Sequence, residues 1–181
     1  MVIKNYDLVS AYEECEKVLN DQNDSFWCQD GVSMENITRS MANVGLGSYG
    51  KKEDIYYPCN SIPAKFETPC VRNHAGYLLD RGTLDFKGVM DFCGSFKERT
   101  FQECVHFAGS VIGSEYDDNL KRIENDCQLA GEYKKFCIEG AVVNNSISRR
   151  FDLAKKLCDT LGENEKTNCY GIVKSFSRLK E

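Results

Sequence analysis

Ten cysteines in 181 residues constrain this chain more than any other feature of its sequence. A reducing cytosol would leave ten thiols open to oxidation or metals, whereas an oxidising compartment pairs an even number as disulfides. The segment Met1–Lys4 lacks the apolar stretch of a signal peptide. We therefore expect a mature extracytoplasmic chain, secreted, periplasmic or at the cell surface, whose leader is absent from this sequence.

The cysteines are regularly spaced when they are taken as consecutive pairs. The separations within the pairs are 13, 11, 11, 10 and 11 residues, and the second cysteines of the last four pairs are 34, 33 and 32 residues apart. A period near 33 is typical of helix–turn–helix repeats. The alternative is accidental spacing with long-range pairing. The regular spacing favours these disulfides: Cys15–Cys28, Cys59–Cys70, Cys93–Cys104, Cys127–Cys137 and Cys158–Cys169.

Turn signals lie between the two cysteines of each of the last four pairs. Pro63 suits the first turn of a helix, and Gly131 suits a break between helices. Ser95–Glu98 and Thr160–Glu163 have the capping-box pattern, in which each residue's side chain accepts a hydrogen bond from the other's backbone. The first cysteine of a pair should therefore end one helix, and the second should lie about two turns into the next.

Apolar residues recur at helical spacing on both sides of these turns, as in Cys169, Ile172, Val173 and Phe176. We expect an all-α fold, an α-solenoid of about five disulfide-closed helical hairpins with ten helices, forming a single repeat domain over 1–181. The hairpins are expected near 6–44, 52–80, 82–114, 117–147 and 149–180.

One segment lengthens the repeat. Cys28 and Cys70 are 42 residues apart, and the excess maps to the glycine-rich insertion 45–54. We interpret this insertion as a linker, with a loop beside a binding groove as the alternative. Its first six residues formally match G-x-G-x-x-G, but a dinucleotide site would need a preceding strand, and the surroundings are helical.

The paired cysteines and hairpin length resemble the Sel1-like branch of the tetratricopeptide-type repeats, in its cysteine-rich secreted form. The resemblance rests on Ala154-Lys155-Lys156-Leu157-Cys158 with Cys169-Tyr170-Gly171-Ile172, and on Phe136-Cys137-Ile138-Glu139-Gly140-Ala141. It implies an α-solenoid whose concave face binds peptides or proteins. No catalytic residue is carried over.

Charge and hydropathy exclude two classes of partner. The net charge of −5 comes with no basic stripe that would neutralise phosphates, so we expect no nucleic-acid partner. No apolar run approaches 18 residues, so we expect no membrane insertion.

Few residues suggest chemistry. His74 and His106 are the only histidines and the chain has no C-x-x-C motif, so we expect no metal site and no cofactor. Ten paired cysteines leave no thiolate for nucleophilic catalysis. Trp27 is next to a paired cysteine, and we expect it to have a structural role, packed in the core beside Cys28.

We therefore expect a non-enzymatic secreted or surface-associated helical-repeat protein that binds a protein or peptide, or a second copy of itself. The alternatives are a structural subunit that self-assembles in a cell-surface or extracellular polymer, a hydrolase with a carboxylate pair, and a protein of the mitochondrial intermembrane space. The first helices of the hairpins are short and should form the concave face. The candidate contacts point away from their apolar stripes: Asp85, Lys87, Asp91, Lys121, Glu124, Asn125, Asp152 and Lys155.

Overall fold

The computed structural model describes residues 7–41, 53–116 and 118–178, and these ranges are helical without a β-strand. The all-α prediction is confirmed for them. The α-helices are α1 (Leu8–Val18), α2 (Gln22–Met41), α3 (Glu67–Asp80), α4 (Phe86–Cys93), α5 (Glu98–Glu115), α6 (Leu120–Gln128), α7 (Lys134–Ile147), α8 (Phe151–Asp159) and α9 (Glu163–Arg178).

Five disulfides close the chain locally, and none of the ten cysteines is free. The bonded pairs are the same five that the spacing favours: Cys15–Cys28, Cys59–Cys70, Cys93–Cys104, Cys127–Cys137 and Cys158–Cys169. In the chain-entropy model, a disulfide that closes a loop of this length contributes about 3 kcal/mol by restricting the unfolded chain.

Contacts divide the chain into two compact units, Met1–Leu78 and Leu79–Glu181. The expectation of one repeat domain over 1–181 stays a prediction. In the first unit, Tyr12 of α1 is fully buried and its hydroxyl lies 2.6 Å from that of Ser33 on α2. Ser33 in turn donates to the backbone oxygen of Gln29, so a chain of hydrogen bonds joins the two helices beside their disulfide.

The second hairpin differs from the prediction. Its first helix is absent: residues 53–58 form turns, and the short 3₁₀ helices Cys59–Ser61 and Ala64–Phe66 lead into α3. The prediction of ten helices in five hairpins is wrong here, since the described residues contain nine α-helices. Pro58 and Pro63 explain the difference, because proline lacks the N–H of a helical hydrogen bond and disfavours helical backbone at the preceding residue.

The second unit contains three hairpins of two α-helices each: α4–α5, α6–α7 and α8–α9. The second helices pack side by side, because α7 contacts both α5 and α9, and the first helices α6 and α8 also touch. Ile112, Ile138 and Val142 are fully buried between them. Burying a side chain of this size contributes about 1.5–3 kcal/mol.

Glycines permit the closest of these helix contacts. A Cβ atom at Gly140 of α7 would overlap the backbone oxygen of His106 on α5, and one at Gly109 would overlap the backbone oxygen of Cys137. Each glycine thus faces the backbone of the opposite helix. Any larger residue would force α5 and α7 apart.

The two predicted capping boxes do not form. α5 begins at Glu98 with Lys97 as its N-cap, so Ser95 lies outside the helix start. Thr160 is the C-cap of α8, and its hydroxyl donates to the backbone oxygen of Leu157. Thr160 therefore belongs to the end of α8, and Ser95 belongs to the turn that follows Gly94, the C-cap of α4.

Candidate binding site

The predicted contact residues all lie on α4, α6 and α8 or at their starts. Seven of the eight are exposed, and Glu124 is half-buried. In chain order they are Asp85, Lys87, Asp91, Lys121, Glu124, Asn125, Asp152 and Lys155. The helices α6 and α8 touch, and α4 packs against α5. The structure therefore brings together the two helices that carry five of the eight residues.

Most of the charged residues among these eight already have a partner within the chain. The ammonium of Lys87 lies 2.8 Å from Asp91, and that of Lys155 lies 3.8 Å from Asp152. Asp85 caps α4 by accepting a hydrogen bond from the backbone of Gly88. Exposed ion pairs contribute at most about 1 kcal/mol, so a partner can separate them at little cost.

A groove of about 400 Å³ lies between α8 and α9 and includes one of the predicted residues. Its lining consists of Phe151, Lys155, Tyr170, Val173, Lys174 and Ser177. Val173 is only 4% exposed and forms the floor, while Tyr170 is 37% exposed. The groove is thus apolar at its base and open to solvent at its edge.

Tyr170 is held in place by the helix opposite. Its hydroxyl donates to Asp159 at the end of α8, with an oxygen–oxygen distance of 2.8 Å. This hydrogen bond is the main cause that raises the pKa of Tyr170. Because the Cys158–Cys169 disulfide ties the same two helix segments together, the ring has a fixed position.

The charged residues that line the groove itself are two lysines. Lys155 and Lys174 are exposed lining residues, and no carboxylate belongs to the lining. Asp152 near Lys155 is 95% exposed, so it neutralises that lysine only weakly. A ligand that combines a negative charge with an apolar group would pair with the lysines and pack against Val173.

Sequence reasoning missed most of this groove. The apolar stripe of Cys169, Ile172, Val173 and Phe176 predicts a buried Val173, and Tyr170 enters only through the family resemblance. The signal that could have found the site is the pair of lysines, Lys155 and Lys174, that flank aromatic and apolar positions of the same hairpin. Their proximity follows from the disulfide between their helices.

A second exposed apolar region lies on α2. Trp27 is 52% exposed and Met34 is 49% exposed, so the expectation that Trp27 packs in the core is wrong. The indole is partly covered: Phe26 packs edge-on at 5.3 Å, and the Arg72 guanidinium lies 5.2 Å from the ring centre. The helix α2 contacts α1 and, through Asp30, α3, while the face that carries Trp27 and Met34 is left exposed.

His74 has structural surroundings, and His106 is half-buried on α5. His74 is almost fully buried, and its Nε2 donates to the backbone oxygen of Ile55 at 2.6 Å. Within the described residues, no three of His, Cys, Asp and Glu converge as metal ligands would. No described helix has the length and apolarity to cross a membrane. Most of the insertion 45–54 lies outside the described residues.

Comparison with models of known families, with curated proteins and with solved structures finds no match for this chain. Its function is therefore inferred from its own geometry.

Proposed function

We propose that this chain is a non-enzymatic helical-repeat protein that binds a protein or peptide partner, secreted or at the cell surface. The observation that carries the proposal is the apolar groove with two lysines between α8 and α9. Its Lys155 also belongs to the predicted contact face on the first helices. Groove and face together offer an anchor for one side chain and a polar surface around it.

The architecture and compartment are part of the proposal. Hairpins of a similar length, with second helices α5, α7 and α9 side by side, support stacking as an α-solenoid with a period near 33 residues. Five disulfides, nine of whose ten cysteines are buried, are consistent with an extracytoplasmic protein. The resemblance to Sel1-like repeats agrees with this proposal.

Selection of random peptides displayed on phage against the oxidised protein tests the function. Enriched peptides should bind the wild type, and the double variant Lys155→Glu/Lys174→Glu should weaken their binding about tenfold or more, because it reverses the charge at the groove. The matched control is Lys17→Glu/Lys97→Glu, which makes the same change of charge at exposed lysines outside the groove and the face.

The same peptides test the wider face. Charge reversal at three or more of its predicted residues should change affinity by more than about 0.5 kcal/mol, the ordinary range for surface substitutions. A smaller change would place binding elsewhere, with the segment 45–54 as the next candidate. Failure to enrich any peptide, or equal binding to the groove variant and its control, would contradict the proposed site.

A further inference from the structure

The groove between α8 and α9 selects a particular kind of side chain. Its floor at Val173 and Phe151 favours an apolar group, and Lys155 and Lys174 favour a carboxylate close to that group. An aromatic side chain with an acidic neighbour on the same helix face has both properties. Because the groove is about 400 Å³, it has room for a ring as large as an indole.

One stripe of this chain has that chemistry. Asp24, Trp27, Gly31 and Met34 are spaced three to four residues apart on α2, so they share one face of the helix, and all four are exposed. We refer to them as the Trp27 stripe. Trp27 is the single tryptophan of the chain, and it supplies the aromatic group, while Asp24 supplies the carboxylate.

Gly31 gives this stripe room for a neighbouring helix. It follows Cys28 by three residues, as Gly140 follows Cys137. At Gly140 the backbone of α5 occupies the space of a Cβ atom, whereas a Cβ atom at Gly31 would meet nothing within 4 Å. The glycine three residues after the second cysteine thus contacts a neighbouring helix in α7, whereas the equivalent glycine of α2 has no neighbour.

We propose that the α8–α9 groove of one copy binds the Trp27 stripe of a second copy. Trp27 enters the groove above Val173, and Asp24 lies toward Lys155 and Lys174. This inference rests on the proposed function, since it names the partner of the same groove. The carboxylate of Asp24 is opposite in charge to the two lysines, and the Arg72 guanidinium beside Trp27 is already paired with the buried Asp30. This complementarity favours a second copy over an unrelated protein.

The two surfaces are different, so the interface is heterologous. Each copy in a dimer keeps one unused groove or one unused stripe, and further copies can add until a ring closes or an open chain grows. Association should therefore increase with protein concentration and weaken with salt, which screens the lysine–carboxylate attraction.

Sedimentation velocity of the full oxidised chain at increasing concentration tests this inference. The wild type should associate, and its tryptophan emission should shift to shorter wavelength as Trp27 leaves water. Trp27→Ala and Lys155→Glu/Lys174→Glu should each lower the association constant about 30-fold or more, as expected for a central aromatic anchor. Lys17→Glu/Lys97→Glu should associate like the wild type.

Mixing the two interface variants gives a sharper test. Trp27→Ala keeps an intact groove, and Lys155→Glu/Lys174→Glu keeps an intact stripe, so an equimolar mixture should form dimers although each variant alone stays monomeric. The changed residues are all exposed, and helical circular dichroism with disulfide mapping checks that each variant is folded.

A wild type that stays monomeric with constant emission would overturn the inference, as would association that the variants do not weaken. A monomeric chain whose groove still binds selected peptides would leave the proposed function standing while this inference fails. Loss of peptide binding and of association together would contradict both.

Discussion

At the scale of single residues, the first unit depends on buried polar groups that find partners across helices. Asp30 of α2 is 6% exposed and accepts hydrogen bonds from Arg72 and Asn73 of α3, at 2.5 and 2.6 Å. Leaving such a charge without its partner costs about 3–5 kcal/mol. These contacts fix α3 against α2 more specifically than apolar packing alone, because only one register satisfies the carboxylate.

His74 makes the stability of the protein depend on pH. Burial lowers its pKa from 6.5 to about 4, against the smaller opposing effects of the Ile55 hydrogen bond and the charge of Asp54. Between these values the unfolded chain binds a proton that the folded chain does not. His74 therefore disfavours folding increasingly as pH falls from 6.5 toward 4, by up to about 3 kcal/mol.

Urea unfolding of the wild type and His74→Gln between pH 7.5 and pH 4.5 measures this effect. Glutamine retains a donor for the Ile55 oxygen but does not titrate. The free energy of unfolding should therefore fall more steeply with acid in the wild type than in the variant. A difference between the two proteins that is constant with pH would show that His74 does not cause the acid sensitivity.

At the scale of helices, glycine decides where two elements can approach. Gly109 and Gly140 let the backbones of α5 and α7 meet. Gly109 faces the backbone of Cys137, which forms the disulfide with Cys127, so the disulfide lies beside this crossing. Gly171 of α9 lies in open space. Glycine is therefore required for packing at Gly140 of α7, whereas at Gly171 of α9 it only lowers the stability of the helix.

Substitution by alanine at the two positions should have opposite signs. Gly140→Ala should destabilise the protein by about 1–3 kcal/mol or more, because the new methyl group overlaps the backbone of α5. Gly171→Ala should stabilise it by about 0.5–1 kcal/mol, since alanine is the better helix former and meets no neighbour. Thermal and urea unfolding measure both. Equal effects at the two positions would contradict the close α5–α7 crossing.

At the scale of the whole molecule, disulfides compensate for the small core of each hairpin. A helical hairpin of about 33 residues buries too little apolar surface to be stable alone. Each hairpin is instead closed by one short covalent loop, and in the second the disulfide joins a 3₁₀ helix to α3. The chain should therefore depend on an oxidising environment for its helical structure.

Titration with a thiol reductant should reveal an order. Cys28 is half-buried, whereas the other nine cysteines are buried, so Cys15–Cys28 should be reduced first. Complete reduction should remove most of the helical circular dichroism and the cooperative melting transition. Differential alkylation followed by peptide mapping gives the order. Early labelling of Cys93–Cys104, or an unchanged melting temperature after full reduction, would oppose this account.

The sequence by itself determined the covalent framework and the helical class. Paired cysteines at a constant separation around turns leave few other arrangements, and helical periodicity is a local property that survives in any packing. The departure at residues 53–66 also has a local cause, because Pro58 and Pro63 disfavour an α-helix as the first element of that hairpin.

Only the tertiary structure decided which residues are covered. Trp27 and Val173 both belong to apolar patterns, yet the first is exposed on α2 and the second forms the floor of a groove. Gly31 and Gly140 follow their cysteines at the same distance, and only Gly140 lies against another helix. A local pattern specifies which face of a helix is apolar, but exposure depends on the neighbours that pack against that face, which are distant in sequence.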